Sequence, residues 1–233
     1  MAPIALAAIL IGGAAVVVAL ARPGHIPDVG RHVQSQLITL TSYGSEPDPI
    51  WVVVSSERDF TIRPDGSGEI STHFTGREFP TPAEEAQWMA SGQDVGGDTS
   101  ETFAPGGLFY EPADDVRSGI NDPALRTAPA GDALRRIATL LTETVPSVAI
   151  QDAALGIARD LADVEIVEQD DSVSITGLSG KGNLRITLVF QTKPTRFVEE
   201  IWTAQVRVTG LDLEPPFVSY DLTTLLSEPL PTY

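Results

Sequence analysis

Apolar residues alternate or gather in short β-branched stretches over much of this chain, and the spacing predicts strands before anything else. Val33 to Tyr43 reads as a first strand, and Gly44 to Pro49 as a turn. Ile50-Trp51-Val52-Val53-Val54 opens a second strand, and Phe60 and Ile62 then alternate on one face. Pro64-Asp65-Gly66-Ser67-Gly68 predicts a hairpin, because Asp-Gly supplies the positive φ angles of tight turns; Glu69 to Thr75 returns as the partner strand. Pro82 to Met89 predicts a short helix, with Thr81 as N-cap, Pro82 at the first position and two acids in the first turn. Ser91 to Gly107 has no periodicity and is read as a loop; Asn121-Asp122-Pro123 begins another short helix. Two amphipathic helices follow. Asp132 is placed to cap the first, striped by Leu134, Ile137, Leu141 and Val145; Pro146-Ser147 restarts the chain into a second, striped by Ile150, Ala154, Ile157, Ala158 and Leu161. Strand patterns return at Glu165–Asp170, Ser172–Leu178, Leu184–Gln191 and Phe197–Val208, with Gly180-Lys181-Gly182-Asn183 as a hairpin turn. The tail from Glu214 holds prolines at 215, 216, 229 and 231, and Val218-Ser219-Tyr220 predicts at most an edge strand. The order predicts an α+β fold: one curved antiparallel sheet with helices on its concave face.

The first 21 residues break this pattern. Ile4 to Ala21 is an uninterrupted apolar run, and all 15 Lys and Arg and all 32 Asp and Glu lie beyond it. As a helix the run spans roughly 27 Å, close to a bilayer's hydrocarbon thickness. It predicts a transmembrane anchor or signal segment over 1–21, a Pro/Gly linker over 22–32 and one body over 33–233, secreted if Ala19-Leu20-Ala21 is cleaved. Arg22 and Arg31 follow the span, which taken alone favours a cytoplasmic body. The net charge of −17 argues against nucleic acid and against docking on anionic lipid. With no cysteine, disulfides, thiolate metal sites and a lipid-modified cysteine are excluded.

Ile62-Arg63-Pro64-Asp65-Gly66-Ser67-Gly68, Phe79-Pro80-Thr81-Pro82 leading into Trp88, Asp122-Pro123-Ala124-Leu125-Arg126, and the paired helices with Leu140-Leu141 together resemble an uncharacterised actinobacterial family. Its members are membrane-anchored extracytoplasmic proteins, often encoded near extracytoplasmic-function sigma factors. More distantly, the body resembles the half-barrel of bacterial lipoprotein carriers, over roughly residues 33–213. The resemblance implies a single-pass membrane protein with an extracytoplasmic body, and this outweighs the two arginines after the span. Members usually carry a basic cytoplasmic segment ahead of the span, whereas here Met1 nearly abuts it.

Catalytic and metal chemistry finds no support in the residues. His25, His32 and His73 are scattered, and neither His-Glu-x-x-His nor Gly-x-Ser-x-Gly occurs. Asp94, Asp98 and Glu101 offer oxygen ligands without the spacing of a calcium loop, and Gly180-Lys181-Gly182 lacks the remainder of a phosphate loop. Glu199 and Glu200, adjacent on a strand, face opposite ways and read as surface charge, as do Asp170 and Asp171. The expectation is a non-enzymatic binding or sensing protein with no cofactor and no metal. A gap between sheet and helices would form a hydrophobic groove for a lipid or other apolar ligand, competing with a fully packed core. Phe60, Ile62, Leu141, Ile157 and Trp202 are its candidate lining by periodicity. The alternative is a protein–protein module that binds an envelope regulator through its acidic surface.

Overall fold

The computed structural model describes residues 30–44, 49–63, 65, 67–94, 97–105, 119–142, 148–208 and 210–229. The leader, the linker as far as residue 29 and the Pro146-Ser147 restart lie outside the described residues. Among the described residues, no helix is long and apolar enough to cross a membrane.

Nine strands form one open, curved, antiparallel sheet, accompanied by four helices among the described residues. The first meander is β1 (Arg31–Tyr43), β2 (Ile50–Ile62), β3 (Gly68–Glu78) and β4 (Thr99–Phe103), with α1 (Pro82–Ser91) between the last two. Next come α2 (Pro123–Thr127), α3 (Ala130–Thr142) and α4 (Val148–Asp160). The second meander is β5 (Val164–Glu168), β6 (Ser172–Leu178), β7 (Leu184–Thr192) and β8 (Thr195–Ala204), and β9 (Phe217–Pro229) ends the described chain. The strand order is β4-β3-β2-β1-β9-β8-β7-β6-β5, so β9 joins two meanders that would otherwise be separate sheets.

Two expectations change here. The tail strand is not at an edge: β9 is 13 residues long and pairs with β1 on one side and β8 on the other. Its prolines are confined to the ends, so the interior Val218–Glu228 keeps the amide donors that a central strand needs. The segment read as a loop contains β4, which pairs with β3 from Thr99↔Thr72 to Phe103↔Gly68. All but one of its residues are exposed, so no buried face left a periodic signal.

α1, α3 and α4 pack on one face of the sheet. Leu134, Ile137, Ala138 and Leu141 of α3 and Ala154, Ile157 and Ala158 of α4 join Val173, Ile175, Ile186, Leu188, Phe190 and Phe197 in one buried cluster. α3 begins unusually close to β6: a Cβ on Gly131 would lie 2.6 Å from the Ser179 amide nitrogen, and one on Gly177 2.7 Å from the Ala130 side chain. Asp132 does not cap α3, which starts at Ala130; from within the first turn its carboxylate accepts the Gly180 amide at 3.1 Å, tying helix to hairpin. α1 meets the first meander through Trp88, 1% exposed, which packs on Ile50 and Val52 and against Tyr43 and Phe79. Its cap is the predicted one, Thr81 accepting from the Glu84 amide.

Candidate functional site

Between the Trp88 cluster and the α3/α4 cluster, the helix-bearing face crosses β8, β9, β1 and β2. Among the described residues, helix contact with β1 and β9 is sparse, and on β1 it includes Trp88 against Tyr43 at the strand's end. Register fixes what this stretch presents. Trp202↔Tyr220, Tyr220↔Thr39 and Thr39↔Val54 form one row, and Glu200↔Leu222, Leu222↔Leu37 and Leu37↔Ser56 the next. A third row holds Thr224↔Ser35, Ser35↔Arg58 and Arg58↔Thr72.

Glu200 reaches this face because of a β-bulge. Phe190 pairs with Phe197 and Val189 with Glu199, so β8 carries an extra residue at Val198. Simple alternation from Phe197 would turn Glu199 toward the helices; the bulge turns Glu200 there instead. Glu199 and Glu200 do occupy opposite faces, but reading both as surface charge is corrected for Glu200, which is 4% exposed. Its carboxylate accepts the Trp202 indole N–H at 2.7 Å. Burial lifts its pKa to about 7, opposed by that hydrogen bond and by the Arg135 charge.

Trp202 lies between a cation and a phenol. Its ring stacks on Tyr220 at 4.5 Å and 26°, and the Arg135 guanidinium of α3 sits 5.7 Å from its centroid. Burial, then the nearby Glu200 charge, pushes the Tyr220 phenol upward, and Arg58 opposes the rise. Arg58 is half-buried and makes no ion pair or side-chain hydrogen bond among the described residues. The Thr39 hydroxyl oxygen, buried beside Tyr220, also has no hydrogen-bond partner among the described residues. On the opposite face burial raises the carboxyl pKa of both Glu199 and Asp221, and the Asp221 charge raises that of Glu199 further.

The five lining candidates do not come together. Leu141 and Ile157, 5% and 8% exposed, are members of the packed cluster beneath α3 and α4, so that interface is core where a groove had been expected. Ile62 is fully buried in a separate small cluster, with Phe60, Val33, Ile70 and Phe103 around it. Trp202 alone borders both the core and the central face. The residues missed by sequence reasoning are Arg58, Arg135, Glu200 and Tyr220. One available signal was that Phe197 and Trp202, five apart, both demand the apolar face, which a regular strand cannot give.

The weaker candidates resolve locally. His73 Nδ1 and Asp98 Oδ2 lie 2.7 Å apart, Asp98 also accepts the Phe74 amide, and Asp94 pairs with Arg77. Asp94 and Asp98 thus each have their own partner, and no three metal-ligating side chains converge among the described residues. Gly182, at φ 67°, closes the β6–β7 hairpin, donating its amide to the Ser179 carbonyl. Two open polar depressions, one at Asp170, Asp171 and Lys193 and the other at Arg77 and Met89, lie away from Glu200. No protein-family model matches the chain, and no curated protein matches it in sequence.

Proposed function

We propose that the chain is a non-enzymatic binding or sensing domain of the half-barrel type, tethered outside the membrane by residues 4–21. Its ligand is lipophilic and lies on the central part of the helix-bearing face, not beneath α3 and α4. One observation carries this reading: Leu37, Phe60, Trp202 and Tyr220 are half-buried on that face, where no described helix makes more than marginal contact with β1 or β9. Partly covered aromatic and aliphatic side chains with a few polar groups among them are the usual lining of a small-molecule site. The test is native mass spectrometry of the full-length chain released from detergent, followed by organic extraction. A discrete lipophile bound one-to-one is expected; a clean apo mass from several hosts contradicts the reading.

A second reading has its own observation. Edge strand β5 exposes Ile166 and Val167 at 40% and 48%, and Asp160, Asp163, Glu165 and Glu168 lie on or beside it. An envelope protein adding a basic extended segment there would gain backbone pairing and charge complementarity. Such docking weakens as salt rises, whereas a buried lipophile is retained.

A further inference from the structure

We propose that the row centred on Arg58 holds the head group of a singly charged long-chain carboxylate, whose chain lies over Phe60, Val33 and Ile70. The proposal rests on the reading that this face takes a lipophilic ligand, and it names the ligand's class and polarity. Arg58 is the starting point. In a chain with 32 acids and 15 bases, this half-buried guanidinium has no carboxylate partner among the described residues. Partial desolvation of a cation is unfavourable unless an anion offsets it.

The neighbours of Arg58 suit an anion. Its cross-strand partners on this face are Ser35 on β1 and Thr72 on β3, and the same row continues to Thr224 on β9 and Thr99 on β4. A guanidinium offers a planar fork that matches a carboxylate, and flanking hydroxyls each add one donor. No acid belongs to this row. A single guanidinium within a field of net charge −17 favours a monoanion over a doubly charged phosphate. The adjacent row is apolar where it faces the ligand: Val33↔Phe60 and Phe60↔Ile70 are register partners, and all three are half-buried. On the other side of the Arg58 row, half-buried Leu37 is flanked by Ser56 and by Leu222, which is 6% exposed, with Glu200 beyond, so that row offers less apolar surface. An alkyl chain extending from the Arg58 row therefore runs toward Phe60.

The experiment uses the full-length chain in phosphatidylcholine nanodiscs. It is photolabelled with hexadecanoic acid carrying a mid-chain diazirine and, in parallel, with the matching alcohol, and the modified peptides are mapped. Expected is labelling of β1–β3 by the acid about tenfold more efficiently than by the alcohol, the scale of one charge-assisted hydrogen bond. Arg58→Gln should bring the acid down to the level of the alcohol, and Arg58→Lys should retain an intermediate preference. Circular dichroism melts of both variants check folding, and the lysine variant keeps the test decisive if the glutamine variant unfolds. Equal labelling by acid and alcohol, unchanged in Arg58→Gln or Arg58→Lys, overturns the head-group assignment but leaves the lipophile-binding face standing. Absence of labelling on β1–β3 by either probe overturns both.

Discussion

The two meanders solve the same packing problem differently. In β5–β8, two helices cover the inner face, and among the described residues 19 buried ones form one cluster. In β1–β4, α1 covers one end, a single tryptophan anchors it to Ile50 and Val52, and most inner-face positions stay half-buried. The covered half has the packing that makes a sheet stable, and the other has the incomplete coverage that leaves side chains free to meet something else. On this division, substitutions in the first half of the sheet should alter binding more than stability, and those in the second half the reverse.

The largest effect belongs to the covered half. Phe190 is fully buried and packs edge-on against Phe197 at 5.5 Å, so Phe190→Ala should lower stability by about 3–5 kcal/mol. Half-buried Leu37→Ala should cost less than about 1 kcal/mol. Urea midpoints of the two variants measure the difference; equal losses would show that the central face is as tightly packed as the core.

Glu200 sits at the seam, and its titration gives the next effect. Its folded pKa, about 7, is above the unfolded value near 4.5, so the folded state holds the proton more tightly. That contribution is fully present below about pH 4.5 and is lost as pH rises through 7. Glu200→Gln keeps an acceptor for the Trp202 indole and removes the titration. It should flatten the fall in stability between pH 4.5 and 7 and stabilise the protein at pH 8 by up to roughly 3 kcal/mol. Chemical denaturation at several pH values reads this directly. A variant whose slope matches the parent would place the carboxyl in a wetter setting than its 4% exposure indicates.

Below that lies the seat of α3 on β6. Gly131→Ala and Gly177→Ala each force a methyl into backbone or a neighbouring Ala130 and should cost about 1–3 kcal/mol. Both press on one contact, so the double variant should lose less than the sum. Strict additivity would mean that the helix does not rest on the strand at that point.

How much of this was legible beforehand follows the same division. The covered half announced itself: Ser172–Leu178 matches β6 end to end, and the α4 stripe and the α3 stripe as far as Leu141 are buried faces, Val145 lying outside the described residues, because a buried face leaves a periodic signal. β4 and β9 gave no such signal, one being exposed and the other framed by prolines. The candidate site was hidden for a different reason. Arg58, Ser35, Thr72 and Thr224 come from four strands, and only cross-strand register assembles them. The Val198 bulge moved Glu200 to the face opposite the one alternation gives it. A register is not written in local composition, and the bulge shows there only as the odd spacing of Phe197 and Trp202.

The helix cap of α1 tests whether the two regions open independently. Thr81 caps α1 by accepting the Glu84 amide, and its hydroxyl donates to Glu84 Oε2 at 2.9 Å. Glu84 is 6% exposed, and its Oε1 has no partner among the described residues, so Thr81→Ala leaves that carboxylate with less support. The loss should be about 1 kcal/mol, the scale of an N-cap. Its location is the informative part. α1 touches the sheet mainly at β2, far from the cluster under α3 and α4, so amide exchange should quicken in α1 and the adjoining ends of β1–β3. Protection in α3, α4 and β6–β8 should stay at the parent level. If those helices lose protection by the same factor, the sheet unfolds as one cooperative unit joined through β9. The half-covered strands would then owe their exposure to topology alone.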